Sequence, residues 1–273
     1  MDRETHRTPR PAAERPSSRM SAAPTAIESP EPSTRHSLRA APGSAVQPVT
    51  PYYDEDGITI YCADNADVLP HLQPCDLLLT DPPFGIGFAA QPTKWQRRAG
   101  KTAQAWDDQP ANLEMLSLAR SLCGKQIIWG GNYFGLPAHR CCLSWYKPDA
   151  PPSMGNVEYA WTNLDQNSRQ IEQSISATNA ERVGHPTQKP LRVIGWSIQQ
   201  AGEVRTILDP WMGSGTTLVA AKLAGVRAIG IEANETYCKL AVARLAQGVL
   251  WRQNDQALRL ADASQSATKK EKP

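Results

Sequence analysis

The sequence lacks several features that would place it in other classes of protein. Its six cysteines include no Cys-x-x-Cys pair, and the adjacent Cys141 and Cys142 have no histidine ligand pattern beside them, which argues against a zinc site. No stretch approaches the roughly 18 consecutive apolar residues of a membrane-spanning helix, and no apolar signal run begins the chain. We therefore expect a cytoplasmic protein with reduced thiols, no metal and no membrane partner.

The two ends of the chain lack what a folded core needs. Residues 1–50 contain no Trp, Tyr or Phe and are rich in Pro, Ser and Arg, so they cannot bury enough apolar area to offset chain entropy. Arginine and serine also suit an organelle transit peptide, but the prolines and acidic residues argue against its amphipathic helix. Residues 254–273 are polar as well. The sequence predicts two disordered tails around one domain, residues 51–253.

Between the tails, short apolar runs alternate with segments of helical period, which is typical of an α/β fold. The run at 76–80 is apolar rather than alternating, as expected for a sheet covered on both faces. Asn112 and Asn234 are candidate helix caps, Gly124 a candidate helix end, and Pro190 suits a first helical turn. Seven segments predict strands: 57–62, 76–80, 126–129, 142–146, 157–162, 206–208 and 228–231.

A glycine-rich turn, Asp209-Pro-Trp-Met-Gly-Ser-Gly-Thr-Thr217, joins a predicted strand to a helix, so that backbone amides and a helix N-terminus face one place. Glu232 follows 19 residues after Gly213, where a carboxylate can accept hydrogen bonds from two ribose hydroxyls. The dinucleotide and phosphate-loop fingerprints fit poorly, which favours a smaller nucleoside cofactor; the alternative is a merely tight turn. The predicted cofactor-binding residues are Asp209, Pro210, Gly213, Ser214, Gly215, Thr216, Thr217 and Glu232.

The sequence Asp81-Pro82-Pro83-Phe84 ends the apolar strand at 76–80, and ligands of open α/β sheets bind beyond the carboxyl ends of strands. The prolines fix φ and remove amide donors, which leaves the Asp81 carboxylate and the Pro82 carbonyl as rigid acceptors. Two acceptors can draw an aromatic amine toward tetrahedral geometry for attack on a methyl group, while Phe84 stacks on the base. The hypothesis is methylation of a flipped or single-stranded base; a plain Asp-Pro turn is the alternative.

These motifs resemble those of the DNA amino-methyltransferases, the adenine-N6 and cytosine-N4 family, over about residues 57–247. Trp211 stands where the family usually has Phe. The catalytic motif precedes the cofactor loop, as in the circularly permuted beta class, and Trp129-Gly-Gly-Asn132 and 147–161 resemble phage-like members. The resemblance implies S-adenosylmethionine as the cofactor. It also implies a Rossmann-like methyltransferase fold with a mostly parallel, seven-stranded sheet and helices on both faces.

Further site residues follow from the same resemblance. His185, Thr187 and Lys189 are implied to contact the methionine end of the cofactor, and Asn132 to line the base pocket. Asp64 is implied to accept a hydrogen bond from the cofactor's adenine, although a helix cap is an equal alternative. Because no strand candidate follows Glu232, the strand at 57–62 is expected beside the one that precedes it.

A basic loop supplies the candidate DNA contact. Residues 89–105 contain no acidic residue and include Trp95, so they can hold phosphates and stack a base, or form a merely solvated loop. Only about two dozen residues separate Trp161 from His185, fewer than a separate target-recognition domain needs. The predicted phosphate contacts are Lys94, Arg97, Arg98 and Lys101.

The sequence predicts adenine-N6 methylation of DNA, because cytosine-N4 members mostly begin the catalytic motif with Ser. Cytosine-N4 transfer is the alternative enzyme, and an inert DNA-binding subunit is the alternative outside catalysis. A nicotinamide-dependent reductase is disfavoured by the missing third glycine. The recognition sequence, a paired nuclease, RNA as substrate and a homodimer stay open.

Overall fold

The computed structural model describes residues 49–85, 110–152, 154–182 and 188–247, so that the predicted tails lie outside the described residues apart from residues 49 and 50. The described strands form one sheet in the order β1-β2-β9-β8-β3-β4-β6-β5-β7. They are β1 (Tyr53–Glu55), β2 (Ile58–Tyr61), β3 (Cys75–Thr80), β4 (Cys123–Trp129), β5 (Cys142–Tyr146), β6 (Val157–Thr162), β7 (Arg169–Glu172), β8 (Thr206–Asp209) and β9 (Arg227–Ile231).

The centre of the sheet is parallel. β2 pairs with β9, β9 with β8, β8 with β3 and β3 with β4, all in parallel register. β1 and β6 run antiparallel to their neighbours, and β7 is parallel to β5. The prediction of a mostly parallel α/β sheet is confirmed, and β2 lies beside β9 as expected.

The sheet is larger than predicted. All seven predicted strand segments are present, but β1 and β7 extend the edges, so that the described part has nine strands and the seven-strand prediction was wrong. β1 is three residues long and mostly exposed, and within β7 only Ile171 is buried. Neither segment has the apolar periodicity that marks a half-buried strand.

The described ranges contain six α-helices. Asn112 and Asn234 cap α2 and α6 as predicted, since each side-chain oxygen accepts the amide N–H two residues later, at 2.8 and 2.9 Å. Two predicted boundaries differ: Gly124 belongs to β4, which pairs with β3 from its first residue, and Pro190 precedes α4 as its N-cap. The helices are α1 (Asn65–Val68), α2 (Leu113–Ser121), α3 (Ile175–Ala180), α4 (Leu191–Gln200), α5 (Thr216–Ala224) and α6 (Glu235–Ala246).

Strand β3 is buried on both faces, as its apolar run predicts. Leu77 and Leu79 belong to one apolar cluster, which includes Ile194 of α4, whereas Leu78 belongs to a second cluster with Leu116 of α2. Successive side chains of a strand point to opposite faces, so helices cover both faces of the sheet. None of these described helices is long and apolar enough to span a bilayer.

The parallel strands bring acidic residues from distant parts of the chain to one edge of the sheet. The segments that follow β2, β3 and β9 carry Asp64, Asp81 and Glu232, and β8 ends at Asp209. Parallel strands end on the same side, and ligands of open α/β sheets bind in the crevice outside these ends. The fold therefore builds a candidate site at this edge.

Candidate active site

The glycine-rich turn between β8 and α5 folds as a tight loop that closely approaches α6. Gly213 and Gly215 have φ of 51° and 76°, a region that favours glycine. A Cβ on Gly215 would lie 2.7 Å from the Cβ of Ala241 in α6, so no larger residue fits there. The loop closes with a hydrogen bond from the Gly215 amide to the Met212 carbonyl at 2.8 Å.

A buried arginine that the sequence analysis missed holds this turn from α6. Nη1 of Arg244 donates to the Ser214 carbonyl at 2.7 Å, and lies 3.2 Å from the Ser214 hydroxyl and 3.0 Å from the Thr216 hydroxyl. Burial lowers the pKa of Arg244 to about 10, against the opposing effect of Glu181. The signal in the sequence was an arginine at a core-facing position of α6, three residues after Ala241.

A cavity of about 150 Å³ lies beside the turn, between the ends of β2, β8 and β9. Glu232 lines it and accepts the Asn234 amide at 2.8 Å and the Gly213 amide at 3.1 Å. Burial raises the pKa of this carboxyl, and the two amides oppose the shift. The lining residues are Ala63, Asp64, Asn65, Pro210, Trp211, Ile231, Glu232 and Ala233.

Asp64 has the helix-cap role that the sequence offered as one alternative, while its predicted contact with the cofactor's adenine stays a prediction. Its carboxylate accepts the Ala66 amide at 2.9 Å and so caps α1, and the same residue lines the cavity opposite the β9 segment. Trp211, the residue that departs from the usual Phe, supplies an aromatic ring to the lining. A lining that combines two carboxylates with an aromatic residue suits a ring with polar edges, such as a nucleoside.

Asp209 lies below the cavity rather than in its lining. Its Oδ1 accepts the Thr80 hydroxyl at 2.8 Å and the Trp211 amide at 3.2 Å, which ties β3 to β8. The residue is 3% exposed, and burial raises the pKa of the carboxyl to about 6, although the Thr217, Thr80 and Trp211 hydrogen bonds oppose the shift. The structure thus gives Asp209 a role inside the sheet edge.

The Asp81-Pro-Pro-Phe84 segment follows β3, at the same edge of the sheet as the cavity. The Pro83 carbonyl accepts the Ala111 amide at 2.9 Å, which anchors the loop, and Pro82 is buried. The ring of Phe84 stacks on Tyr133 with centroids 4.7 Å apart and an interplanar angle of 22°. The loop therefore presents a carboxylate next to an aromatic pair.

Phe84 is seated against the turn that follows β4. A Cβ on Gly130, whose φ is 67°, would lie 2.0 Å from Cε1 of Phe84. A 3₁₀ turn over Gly131–Tyr133 then places the exposed Asn132 and Tyr133 beside the Asp81–Phe84 loop. Tyr133 was missed by the sequence analysis; its signal was an aromatic residue directly after the Trp-Gly-Gly-Asn segment.

Lys189 brings an unexpected charge to Asp81. Its ammonium donates to Oδ2 of Asp81 at 2.6 Å and lies 3.0 Å from Oε2 of Glu158, whose other oxygen pairs with Lys147. Glu158 was missed by the sequence analysis, although it lies within the 147–161 segment. The predicted contact of Lys189 with a cofactor stays a prediction.

Six predicted site residues lie outside the described residues: His185, Thr187, Lys94, Arg97, Arg98 and Lys101. Within the described ranges, no group of three or more His, Cys, Asp or Glu side chains is arranged to hold a metal ion. What the described residues bring together at one sheet edge is the Asp81-Pro-Pro-Phe84 loop, a cavity of about 150 Å³ and a buried set of charges.

Comparison with known proteins gives one family match. The family model described as DNA methylase, of the N6/N4 type, matches residues 128–243. The Type II methyltransferase M.ScaI of Streptomyces caespitosus is 25% identical over 255 residues, 71% of this chain and 83% of the relative. The Type II methyltransferase M2.LlaDCHI of Lactococcus lactis subsp. cremoris is 24% identical over 253 residues, 74% and 94%. A crystal structure of an M1.HpyAVI–SAM complex is 22% identical, covers 69% of this chain and 98% of its own, and has a TM-score of 0.49.

Proposed function

We propose that the chain is an N6/N4 DNA methylase and that it transfers the methyl group of S-adenosylmethionine to the N6 amine of adenine in DNA. The observation that carries the proposal is the shared sheet edge: the cavity with Asp64 and Glu232 lies at the ends of β2, β9 and β8, and the Asp81 loop follows β3, the next strand of the sheet. In this proposal, the acceptor for the amine and the cavity for the nucleoside lie at the same sheet edge.

The cavity residues fit the nucleoside part of such a cofactor. Each oxygen of Glu232 accepts one backbone amide, and a carboxylate oxygen has capacity for a second donor, such as a ribose hydroxyl. Asp64 and Trp211 offer an acceptor and an aromatic face to a purine. When bound, S-adenosylmethionine supplies an electrophilic sulfonium methyl group; the residues of this chain bind and orient.

The catalytic loop polarises the target amine in this proposal. The Asp81 carboxylate accepts one N–H and the Pro82 carbonyl the other, which localises the nitrogen lone pair for in-line attack. Oδ2 of Asp81 accepts a hydrogen bond from the Lys189 ammonium at 2.6 Å, and a carboxylate, with about four acceptor sites, retains capacity for the amine. Phe84 stacks on the base, which has to leave the duplex stack first.

Adenine is favoured over cytosine because the motif begins with Asp81. The test incubates the purified chain with unmethylated DNA and labelled S-adenosylmethionine, then digests the DNA and identifies the labelled nucleoside. We expect N6-methyladenine. Labelled N4-methylcytosine would overturn the choice of base, and cofactor binding without transfer to any DNA would support an inert binding subunit.

Replacement of Asp81 tests the catalytic role. We expect Asp81→Ala to bind S-adenosylmethionine with unchanged affinity but to lose methyl transfer by about a hundredfold or more, because one of the two aligned acceptors is gone. Calorimetry measures the binding and labelled-methyl transfer the turnover. Asp165→Ala, which removes an exposed carboxylate paired with Arg140, is the matched control. Retained turnover in Asp81→Ala would remove Asp81 from its role.

A further inference from the structure

Four charged side chains from four segments form a continuous chain next to the catalytic loop. In order they are Asp81 after β3, Lys189 before α4, Glu158 in β6 and Lys147 after β5, with alternating sign. The side chains of Lys189 and Lys147 are only 9% and 6% exposed. Burying charges is expensive unless each is paired, so each member of this charge chain depends on its neighbours.

Lys189 is the central member because it contacts both carboxylates. An ammonium has three N–H donors. Nζ of Lys189 lies 2.6 Å from Oδ2 of Asp81 and 3.0 Å from Oε2 of Glu158, so two of its donors point at these carboxylates. Burial alone would lower the pKa of Lys189, but the charges of Asp81 and Glu158 outweigh burial and raise it. The ammonium therefore keeps its proton and is held between two fixed acceptors.

Glu158 is fixed in turn by its two cations. Burial would raise the pKa of its carboxyl, but Lys189 and Lys147 outweigh burial and lower it to about 2. Indole rings add support, since the ammonium of Lys147 lies 4.5 Å from the ring centroid of Trp145 and that of Lys189 lies 6.0 Å from that of Trp129. Glu158 is thus an anion at neutral pH.

We propose that Glu158 and Lys147 are positioning residues for methyl transfer. They hold the Lys189 ammonium so that it fixes one oxygen of Asp81, and the carboxylate then meets the target amine in one orientation. This inference rests on the proposed function for its catalytic consequence. Misplacement of a catalytic group by about 1 Å can lower the reaction rate by about a hundredfold. A charge pair that does not touch the substrate can therefore affect turnover through the position of Asp81.

The first test is Glu158→Gln, which keeps the shape of the side chain and removes its charge. We expect kcat to fall by about tenfold or more because Asp81 loses its fixed orientation, while the affinity for S-adenosylmethionine stays unchanged. Lys189 keeps only one carboxylate partner, so the alkaline limb of the kcat profile moves to lower pH. Two further charged residues interact with the four charges: the charge of Glu158 acts on the pKa of Arg182, and that of Asp81 acts on the pKa of Asp209. Glu158→Gln replaces neither of them.

The double variant Lys147→Met/Glu158→Gln separates positioning from stability. Removing both members of an ion pair leaves no uncompensated buried charge, so we expect the melting temperature lost in the single variants to return. The kcat is expected to stay low, because Lys189 still lacks its second anchor. Recovery of kcat together with stability would mean that the pair acts only on folding and would overturn the proposal. Glu172→Gln on the exposed face of β7 is the matched control.

A readout without turnover keeps this inference distinct from the proposed function. NMR titration of the Lys189 Nζ group, without DNA, is expected to show a pKa lower by at least about one unit in Glu158→Gln than in the unaltered chain. An unchanged titration overturns the positioning proposal. An unaltered chain that methylates no nucleic acid, with the titration shifted as expected, instead overturns the proposed function.

Discussion

At the scale of single residues, the site depends on groups whose surroundings differ sharply from water. Asp209 is nearly fully buried, and its carboxylate is held by the Thr80 hydroxyl and the Trp211 amide. Burial raises its pKa from 3.8 to about 6, so the folded state binds a proton more tightly than the unfolded chain. A group with a raised pKa stabilises the fold at low pH and loses this contribution as pH rises.

Replacement of Asp209 by Asn is expected to change how the stability of the chain depends on pH. The stabilising contribution of the proton on Asp209 is present below about pH 4 and is lost as pH rises through about 6, an effect of up to roughly 3 kcal/mol. The Asn variant keeps an acceptor for Thr80 and does not titrate. Urea unfolding between pH 4 and 7 should show that the free energy of unfolding of the Asn variant rises relative to that of the unaltered chain. Parallel curves for the two proteins would contradict the assignment; Asp165→Asn is the exposed control.

Two glycines that follow β4 have similar positive φ angles but different surroundings. Gly130 and Gly135 have φ of 67° and 60°, but only at Gly130 does an added Cβ meet Phe84, while at Gly135 nothing lies within 4 Å. Alanine in this region costs about 1–2 kcal/mol at either position. We expect Gly130→Ala alone to lower kcat, since it displaces the Phe84 ring. Equal turnover in Gly130→Ala and Gly135→Ala would show that the position of the Phe84 ring does not affect catalysis.

At the scale of secondary structure elements, the glycine-rich turn between β8 and α5 is shaped by a neighbouring helix. Helix α5 begins directly after Gly215, and the oxygens of Ser214 and Thr216 at its start are bonded to Arg244 of α6. The guanidinium has several donors in a rigid plane, so one side chain can hold two turn residues at once. The packing of α6 on α5 therefore determines the geometry of the turn.

Arg244→Met tests this coupling. The variant leaves the oxygens around the turn without their buried donor, and we expect the free energy of unfolding to fall by about 2–4 kcal/mol. The affinity for S-adenosylmethionine should fall too, because the turn loses its support. Lys239→Met removes an exposed ion pair with Glu235 on the same helix and should change stability by less than about 0.5 kcal/mol. Unchanged cofactor affinity in Arg244→Met would separate the turn from binding.

At the scale of the whole molecule, the cavity lies at the ends of three adjacent strands, of which β2 is far in sequence from β8 and β9. A ligand in this cavity contacts segments around residues 64, 211 and 232. Binding therefore favours the assembled sheet over any state in which one of these strands is detached.

S-adenosylmethionine should accordingly stabilise the chain as a unit. At a hundredfold excess over its Kd, we expect about 2.7 kcal/mol of added stability, seen as a rise in melting temperature. NADH should give no rise, and Glu232→Gln should reduce the effect of S-adenosylmethionine. A rise with NADH and none with S-adenosylmethionine would contradict the nucleoside assignment.

Sequence and structure agree most closely where local pattern decides. The seven predicted strands and the caps at Asn112 and Asn234 all appear, because side-chain periodicity and capping chemistry act over a few residues. The edge strands β1 and β7 were missed because their side chains are mostly exposed and leave no apolar pattern. The sequence predicts a helix end at Gly124, but Gly124 lies in β4, which pairs with β3 from Cys123 onward.

By itself, the sequence determined the α/β class, the acceptor loop at Asp81 and the carboxylate at Glu232, since these follow from periodicity and from spacing along the chain. Only the tertiary structure decided that Lys189 pairs with Asp81 and Glu158, and that Glu158 also pairs with Lys147. It also decided that Arg244 bonds to the glycine-rich turn. The physical reason is that a polar side chain several strands away in the sheet has no fixed offset in sequence. Its partner is chosen by how strands and helices pack, and by the need to compensate each buried charge.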